Sequence, residues 1–170
     1  MNEAVRTGYE EHGVDDYYKI HRSDYSNPHK EIINKLLTIS KKWNLGNNIL
    51  DVCCGSGEVT KNFETYNIEG IDPYTYELYS KNTNRHCYSY SFKDIVQKGL
   101  PKNYDTVICS FAMHLCEESM LPSLLYRIGE KSNRLIILTP HKRPNCNGIY
   151  GWKEVNRIKI DKVSMVLYEK

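Results

Sequence analysis

Two hydrophobic rhythms alternate along this chain. Short, nearly unbroken apolar runs are separated by stretches in which apolar residues recur every three or four positions. The first rhythm belongs to strands buried on both faces, the second to helices with one face on a core. Ile32, Ile33, Leu36, Leu37, Ser40 and Trp43 share one helical face, with Asn27 as N-cap, Pro28 at the first helical position and Gly46 closing the segment. Ile49-Leu50-Asp51-Val52-Cys53-Cys54 predicts a strand that runs into Gly55-Ser56-Gly57, and residues 58–66 predict a helix. Ile68 to Asp72 reads as a second strand stopped by Pro73, residues 75–83 as a helix, and His86 to Ser91 as a tyrosine-rich strand. Residues 92–98 form a short helix broken by Gly99-Leu100-Pro101. Asp105 to Phe111 is a buried strand, Leu121 to Ile128 a helix, and Leu135 to Leu138 the most apolar strand. Residues 141–151, rich in Pro, Asn and Gly, form a loop. In the tail, Ile158 and Ile160 alternate with charge before Val163, Met165 and Leu167, and Asp161-Lys162 between them predicts a tight hairpin.

Strands alternating with helices imply an α/β fold, a doubly wound and mainly parallel sheet covered on both faces. The expectation is five parallel strands with a C-terminal antiparallel hairpin, in a single domain over 1–170. Residues 1–28 are polar, rich in Tyr and His, and aperiodic, and read as an N-terminal arm or lid on an α/β core at 29–170. A length of 170 residues suits one domain, and 40% hydrophobic residues are enough for a core, which excludes a wholly disordered chain. A net charge of +2 is too small to argue by itself for nucleic acid or an anionic membrane. Leu135-Ile136-Ile137-Leu138 is far too short to span a bilayer, and the acidic N-terminus lacks the apolar stretch of a secretory signal. The 6 cysteines contain no Cys-x-x-Cys pair, so neither a disulfide framework nor a metal site is expected. They read as free thiols in a reducing compartment, which points to the cytoplasm.

Asp51-Val52-Cys53-Cys54-Gly55-Ser56-Gly57-Glu58 carries the chemistry. A buried strand enters two glycines and then a helix, so that backbone N–H groups can approach a ligand closely. In a doubly wound sheet this turn faces the crevice beyond the strand C-termini. Asp51 is an acid at the end of an apolar strand, a costly place unless something pairs with it. Asp72, at the end of the second strand, is placed to accept ribose hydroxyls. A dinucleotide fingerprint needs a third glycine at position 60, which is Thr60. A pyrophosphate is also repelled by a nearby carboxylate. Asp51 instead suits a ligand carrying an amine and a sulfonium, as S-adenosylmethionine (SAM) does.

Asp51-x-Cys53-x-Gly55-x-Gly57 resembles the D-x-G-x-G-x-G loop of the class I SAM-dependent methyltransferases. Gly70-Ile71-Asp72 is similar to their ribose-binding acidic position, and Tyr104 to His114 to their fourth-strand motif. The resemblance covers about residues 48–140 and, more weakly, the terminal hairpin. It implies a Rossmann-like methyltransferase fold and a methyl transfer from SAM. Gly55 and Gly57 approach the methionine part, Asp51 positions its amino end, Asp72 binds the ribose, and Pro73 lies against the adenine. Ser91, Phe92 and Asp94 fall in the adenine-binding stretch, and the backbone at Cys109 and Ser110 flanks the amino-acid end. Cys53 stands where the family has glycine, which requires a backbone there outside the left-handed region. The short stretch after Leu138 leaves little room for the helix the family usually places before the hairpin, so one sheet edge is open to a second copy or a protein partner.

Loops after the fourth and fifth strands line the active face of this fold. They carry His114 in one and His141-Lys142-Arg143 in the other, the latter suited to an anionic substrate. Tyr18 and His21 lie in the arm. These four, Tyr18, His21, His114 and His141, are the candidates for contact with the methyl acceptor. The acceptor is open among RNA, protein and a small molecule, with no membrane implied. A non-catalytic cofactor-binding or scaffold module acting through a protein partner is the alternative reading.

Overall fold

The computed structural model describes residues 29–170. Helix α1 (Lys30–Ser40) leads into β1 (Asn48–Val52), followed by β2 (Asn67–Ile71), α2 (Tyr76–Thr83), β3 (Cys87–Tyr88) and α3 (Phe92–Lys98). Then come β4 (Thr106–Ser110), α4 (Leu121–Lys131), β5 (Arg134–Thr139) and the hairpin β6 (Lys153–Ile160) and β7 (Val163–Glu169). They build one 7-stranded sheet in the order β3-β2-β1-β4-β5-β7-β6. The first five strands run parallel, and β7 and β6 are antiparallel additions, as the hydrophobic rhythms predict.

The period of two along each strand sorts the core into two layers. Leu50 and Val52 of β1, Val107 and Cys109 of β4, and Leu135 and Ile137 of β5 face α3 and α4. Ile49, Ile108, Ile136 and Leu138 face the opposite way, onto Ile33, Leu36 and Leu37 of α1. All of these side chains are buried. Each contributes roughly 1.5–3 kcal/mol by leaving water. Asp51 shares the face of Ile49, so an acid is carried into the α1 side of the sheet.

Several element boundaries differ from expectation. The N-cap of α1 is His29, with no side-chain cap bond, and Asn27 and Pro28 lie outside the described residues. The helix stops well before Gly46, because Lys42 and Trp43 bond to carbonyls three residues back and tighten the last turn. Strand β1 ends at Val52, leaving Cys53 and Cys54 in the turn. Residues 58–66 hold only a 3₁₀ turn at Thr60–Phe63, wound by bonds such as Asn62 N–H to the Val59 carbonyl. That tight winding puts Thr60 over Asp51 while burying Val59 and Phe63. The strand expected over 86–91 is reduced to Cys87–Tyr88, since Ser91 already caps α3.

No helix lies between β5 and β6. Trp152 does the covering instead. It is fully buried, and its indole N–H donates to the Leu125 carbonyl of α4 at 3.0 Å. Ile149 and Cys146 pack with it against Val166 and Tyr168. Strand β6 remains the outer edge, mostly exposed, with Lys153, Arg157 and Lys159 along it and a register irregularity between Glu154 and Asn156. Cations and a bulge on an edge discourage further strand pairing.

Candidate functional site

The strand order reverses between β1 and β4, so the loops leaving these two neighbours diverge at their C-terminal ends, where doubly wound sheets have their ligand crevice. After β1 the chain turns sharply. Cys53 has φ 57°, Gly55 φ 55° and Gly57 φ 98°. The expectation that Cys53 avoids the left-handed region is therefore wrong. The turn keeps its shape with a side chain present, at a cost of roughly 1–2 kcal/mol. Packing offsets this, since Cys53 rests against the α3/α4 layer beside Cys109. Across the crevice, Phe111 after β4 also has φ 57°. Left-handed non-glycine residues thus leave both strands that flank the switch point, a concentration of strain typical of functional sites.

Gly57 is required by an element of the protein itself. A Cβ there would lie 2.4 Å from Thr83 Cγ2, so α2 approaches the loop too closely for any side chain. Gly55 donates its N–H to Asp72 Oδ2 at 3.2 Å, tying the loop of β1 to the end of β2. Asp72 Oδ1 accepts from the Tyr74 and Thr75 N–H groups, both at 2.9 Å, which closes the turn that leads into α2. Asp72 is thus a structural clamp, and each carboxylate oxygen keeps lone-pair capacity for a ligand.

Asp51 is buried with little around it to balance a charge. Thr60 Oγ1 donates to its Oδ2 at 2.9 Å, while Oδ1 is buried with no hydrogen-bond partner. Burial pushes its pKa up to about 7; the Thr60 hydrogen bonds pull it back, and Asp72 and Glu58 add to the rise. An orphaned carboxyl oxygen in a dry site fits a ligand that brings its own cationic donor.

Ser91 and Asp94 form a reciprocal capping box on α3. Ser91 Oγ accepts from the Asp94 N–H at 3.1 Å, and Asp94 Oδ2 accepts from the Ser91 N–H at 2.9 Å. The Ser91 backbone N–H is the chief reason the Asp94 carboxyl titrates below its ordinary value. Phe92 is half-buried beside them, and Pro73 lies between Asp72 and α2. Cys109 is buried in β4, and Ser110 Oγ is buried at its end without a partner.

His114 and His141 come from the loops after β4 and β5 and meet with ring centroids 4.4 Å apart. Both ring nitrogens of His114 are buried without a hydrogen-bond partner. Burial first, and then His141, lower the His114 pKa to about 4, so its imidazole is neutral at physiological pH. Tyr18 and His21 lie outside the described residues. All six cysteines are free thiols, and Cys54 Sγ lies 3.5 Å from Cys87 Sγ. Among the described residues no helix is long and apolar enough to cross a membrane.

Sequence reasoning missed two residues. Thr60 counts there only as a missing glycine, and the sequence suggests for Tyr79 no more than a packing or cofactor-edge residue. In the structure Tyr79 is fully buried, with its hydroxyl 2.7 Å from Thr60 Oγ1. The available signal is the buried acid itself: Asp51 needs a donor, and Thr60 is the first hydroxyl beyond the glycine turn.

No family model matches the chain. An uncharacterized protein of Schizosaccharomyces pombe is 29% identical over 201 aligned residues, covering 90% of this chain and 81% of that protein. Among solved structures, magnesium protoporphyrin IX methyltransferase from Synechocystis, with bound SAM, superimposes with a TM-score of 0.67 at 14% identity, covering 98% of this chain and 95% of that one. An N-methyltransferase from Bradyrhizobium japonicum, in complex with S-adenosyl-L-homocysteine, gives 0.69 at 13% identity, covering 99% of each chain. An rRNA methylase from Escherichia coli gives 0.61 at 12%, covering 99% of this chain and 75% of that one. The chain therefore has the Rossmann-like fold that these methyltransferases share.

Proposed function

We propose that the chain is a SAM-dependent methyltransferase. The observation that carries the reading is the pairing of Gly55 with Asp72 across the ends of β1 and β2, next to the orphaned Oδ1 of Asp51. A glycine turn and two carboxylates at a strand-order switch suit an adenosyl ligand with an amino-acid end. Bound there, SAM supplies an electrophilic methyl on its sulfonium. In this reading Asp51 receives the amino group and Asp72 receives ribose hydroxyls. Cys53, Gly55 and Gly57 shape the turn, Cys109 and Ser110 border the amino-acid end, and Pro73, Ser91, Phe92 and Asp94 border the adenine.

The acceptor enters beside His114 and His141, and Tyr18 and His21 remain the other candidates for contact with it. A neutral His114 offers one N–H donor and one ring nitrogen acceptor to an uncharged acceptor group, and holds it against the methyl with water excluded. Proximity and orientation supply most of the rate in such an in-line displacement, so a strong base is not required. The cytoplasm is the compartment proposed from the free thiols.

Incubation of the protein with methyl-labelled SAM and a cell extract tests this reading, with RNA, protein and small-molecule fractions counted separately. Label enters one fraction, and His114→Ala reduces the transfer. A protein that binds the cofactor and labels no fraction is not a methyltransferase.

A further inference from the structure

Asp51, Thr60 and Tyr79 form a buried hydrogen-bonded chain, of which the methyl-transfer reading uses only Asp51. Relative exposures are 1%, 1% and 0%, so water serves none of them. Thr60 Oγ1 has a single hydrogen. Donating it to Asp51 Oδ2 at 2.9 Å leaves the 2.7 Å contact to be made by the Tyr79 hydroxyl donating to Thr60. Tyr79 is held in the protonated state this requires, because burial moves its phenol far above the ordinary range. The Tyr79 ring lies in the angle between Gly57 and Gly70, where a Cβ on Gly70 would come within 2.8 Å of Tyr79 Cζ. The hydroxyl relay is therefore locked in place by the two glycines that let α2 close on the loop.

Among the described residues, the ionisable groups that act most strongly on Asp51 are Cys53, Cys54 and Glu58 on its own loop, Asp72 after β2 and Tyr79 on α2. Not one of them is a cation. Oδ2 is served by a neutral donor, and Oδ1 by none. Below about pH 7 a carboxyl in such a place keeps its proton until a cation arrives.

We infer that Thr60 and Tyr79 are positioning residues which, acting through Asp51, make capture of the cofactor's amino group release a proton. The inference rests on the cofactor reading above. The balance is a proton exchange: the Asp51 carboxylic acid meets the ligand's ammonium, the carboxylate–ammonium pair forms at Oδ1, and the displaced proton goes to solvent. The relay fixes which oxygen is left for the ligand. Thr60 occupies Oδ2 throughout, so the ammonium pairs with Oδ1. By stabilising the carboxylate, Thr60 also sets the pH at which the exchange becomes free of cost, close to the value of about 7 that Asp51 holds without ligand.

The test compares two probes by calorimetry between about pH 5.5 and 8.5. S-adenosylhomocysteine has the amino-acid end; 5′-methylthioadenosine keeps the adenosine and the sulfur but lacks it. Affinity for S-adenosylhomocysteine falls by up to about tenfold per pH unit below about pH 7, with proton release, while 5′-methylthioadenosine binds evenly across the range. Asp51→Asn removes the break. Thr60→Val moves it to higher pH and Thr60→Ser restores it. Tyr79→Phe, a milder change, moves it in the same direction and decides the matter should Thr60→Val fail to fold. Even binding of S-adenosylhomocysteine at all pH values overturns the inference and leaves the cofactor reading standing. An unmoved break in Thr60→Val or Tyr79→Phe removes the positioning role. If neither probe binds at any pH, the cofactor reading falls and takes this inference with it.

Discussion

Gly57 and Cys53 sit in the same turn, both left-handed, yet they tolerate change very differently. At Gly57 any side chain meets Thr83 of α2, and φ 98° is poor for L-residues. Gly57→Ala is expected to lower stability by about 2 kcal/mol or more, through overpacking joined to backbone strain. Cys53→Gly relieves strain but gives up packing against the core, so its net effect stays within about 1 kcal/mol of zero. Urea denaturation of both variants checks this, and equal losses at the two positions would contradict it. The sequence showed the turn, because a strand running into Gly-x-Gly has few other uses. It did not show that Cys53 is left-handed, since its compensation comes from Cys109, far along the chain. Asp72 was legible as an acid at a strand end. Its hold on the Gly55, Tyr74 and Thr75 N–H groups was not, because that depends on how the loop of β1 meets the start of α2.

Among the elements, the loop between β5 and β6 carries the most unexpected duty. Trp152 fills the place of a covering helix and bonds to α4. Trp152→Ala is expected to cost about 3–5 kcal/mol by opening a large cavity. Trp152→Phe keeps most of the apolar volume but loses the indole hydrogen bond to the Leu125 carbonyl, which keeps its bond within α4, for about 0.5–1.5 kcal/mol. Thermal and urea melts that place the two variants together would show that the indole hydrogen bond contributes nothing. Helices α1 and α4 were legible from apolar spacing and α3 from the Gly99 break. The 3₁₀ turn at Thr60–Phe63 was not: its composition permits a full helix, and the demand of Asp51 for the Thr60 hydroxyl overrides local preference. The Trp152 plug was equally hidden, since a Pro- and Gly-rich loop has no period to betray a buried side.

For the whole molecule, the parallel core and its antiparallel hairpin follow from the alternation of apolar runs with amphipathic helices, because those runs can be satisfied only between two helical layers. The buried acid then leaves a mark on global stability. Asp51 has a pKa of about 7 when folded, against an ordinary value of 3.8. Between those values the folded protein holds a proton that the unfolded chain has released, so stability declines as pH rises through that window and the full cost is present above it. Asp51→Asn removes this slope. Relative to wild type, the variant is expected to be more stable at pH 8 than at pH 5, by a few kcal/mol. Urea midpoints at the two pH values check it, and an unchanged difference would mean that Asp51 is ionised throughout.

The most direct trial is calorimetric titration of the purified 170-residue chain with S-adenosylhomocysteine at pH 8, where Asp51 is ionised. One ligand is expected to bind per chain, with Asp72→Ala much weaker. The absence of heat and of any thermal shift at millimolar ligand would contradict an adenosyl site at Gly55 and Asp72.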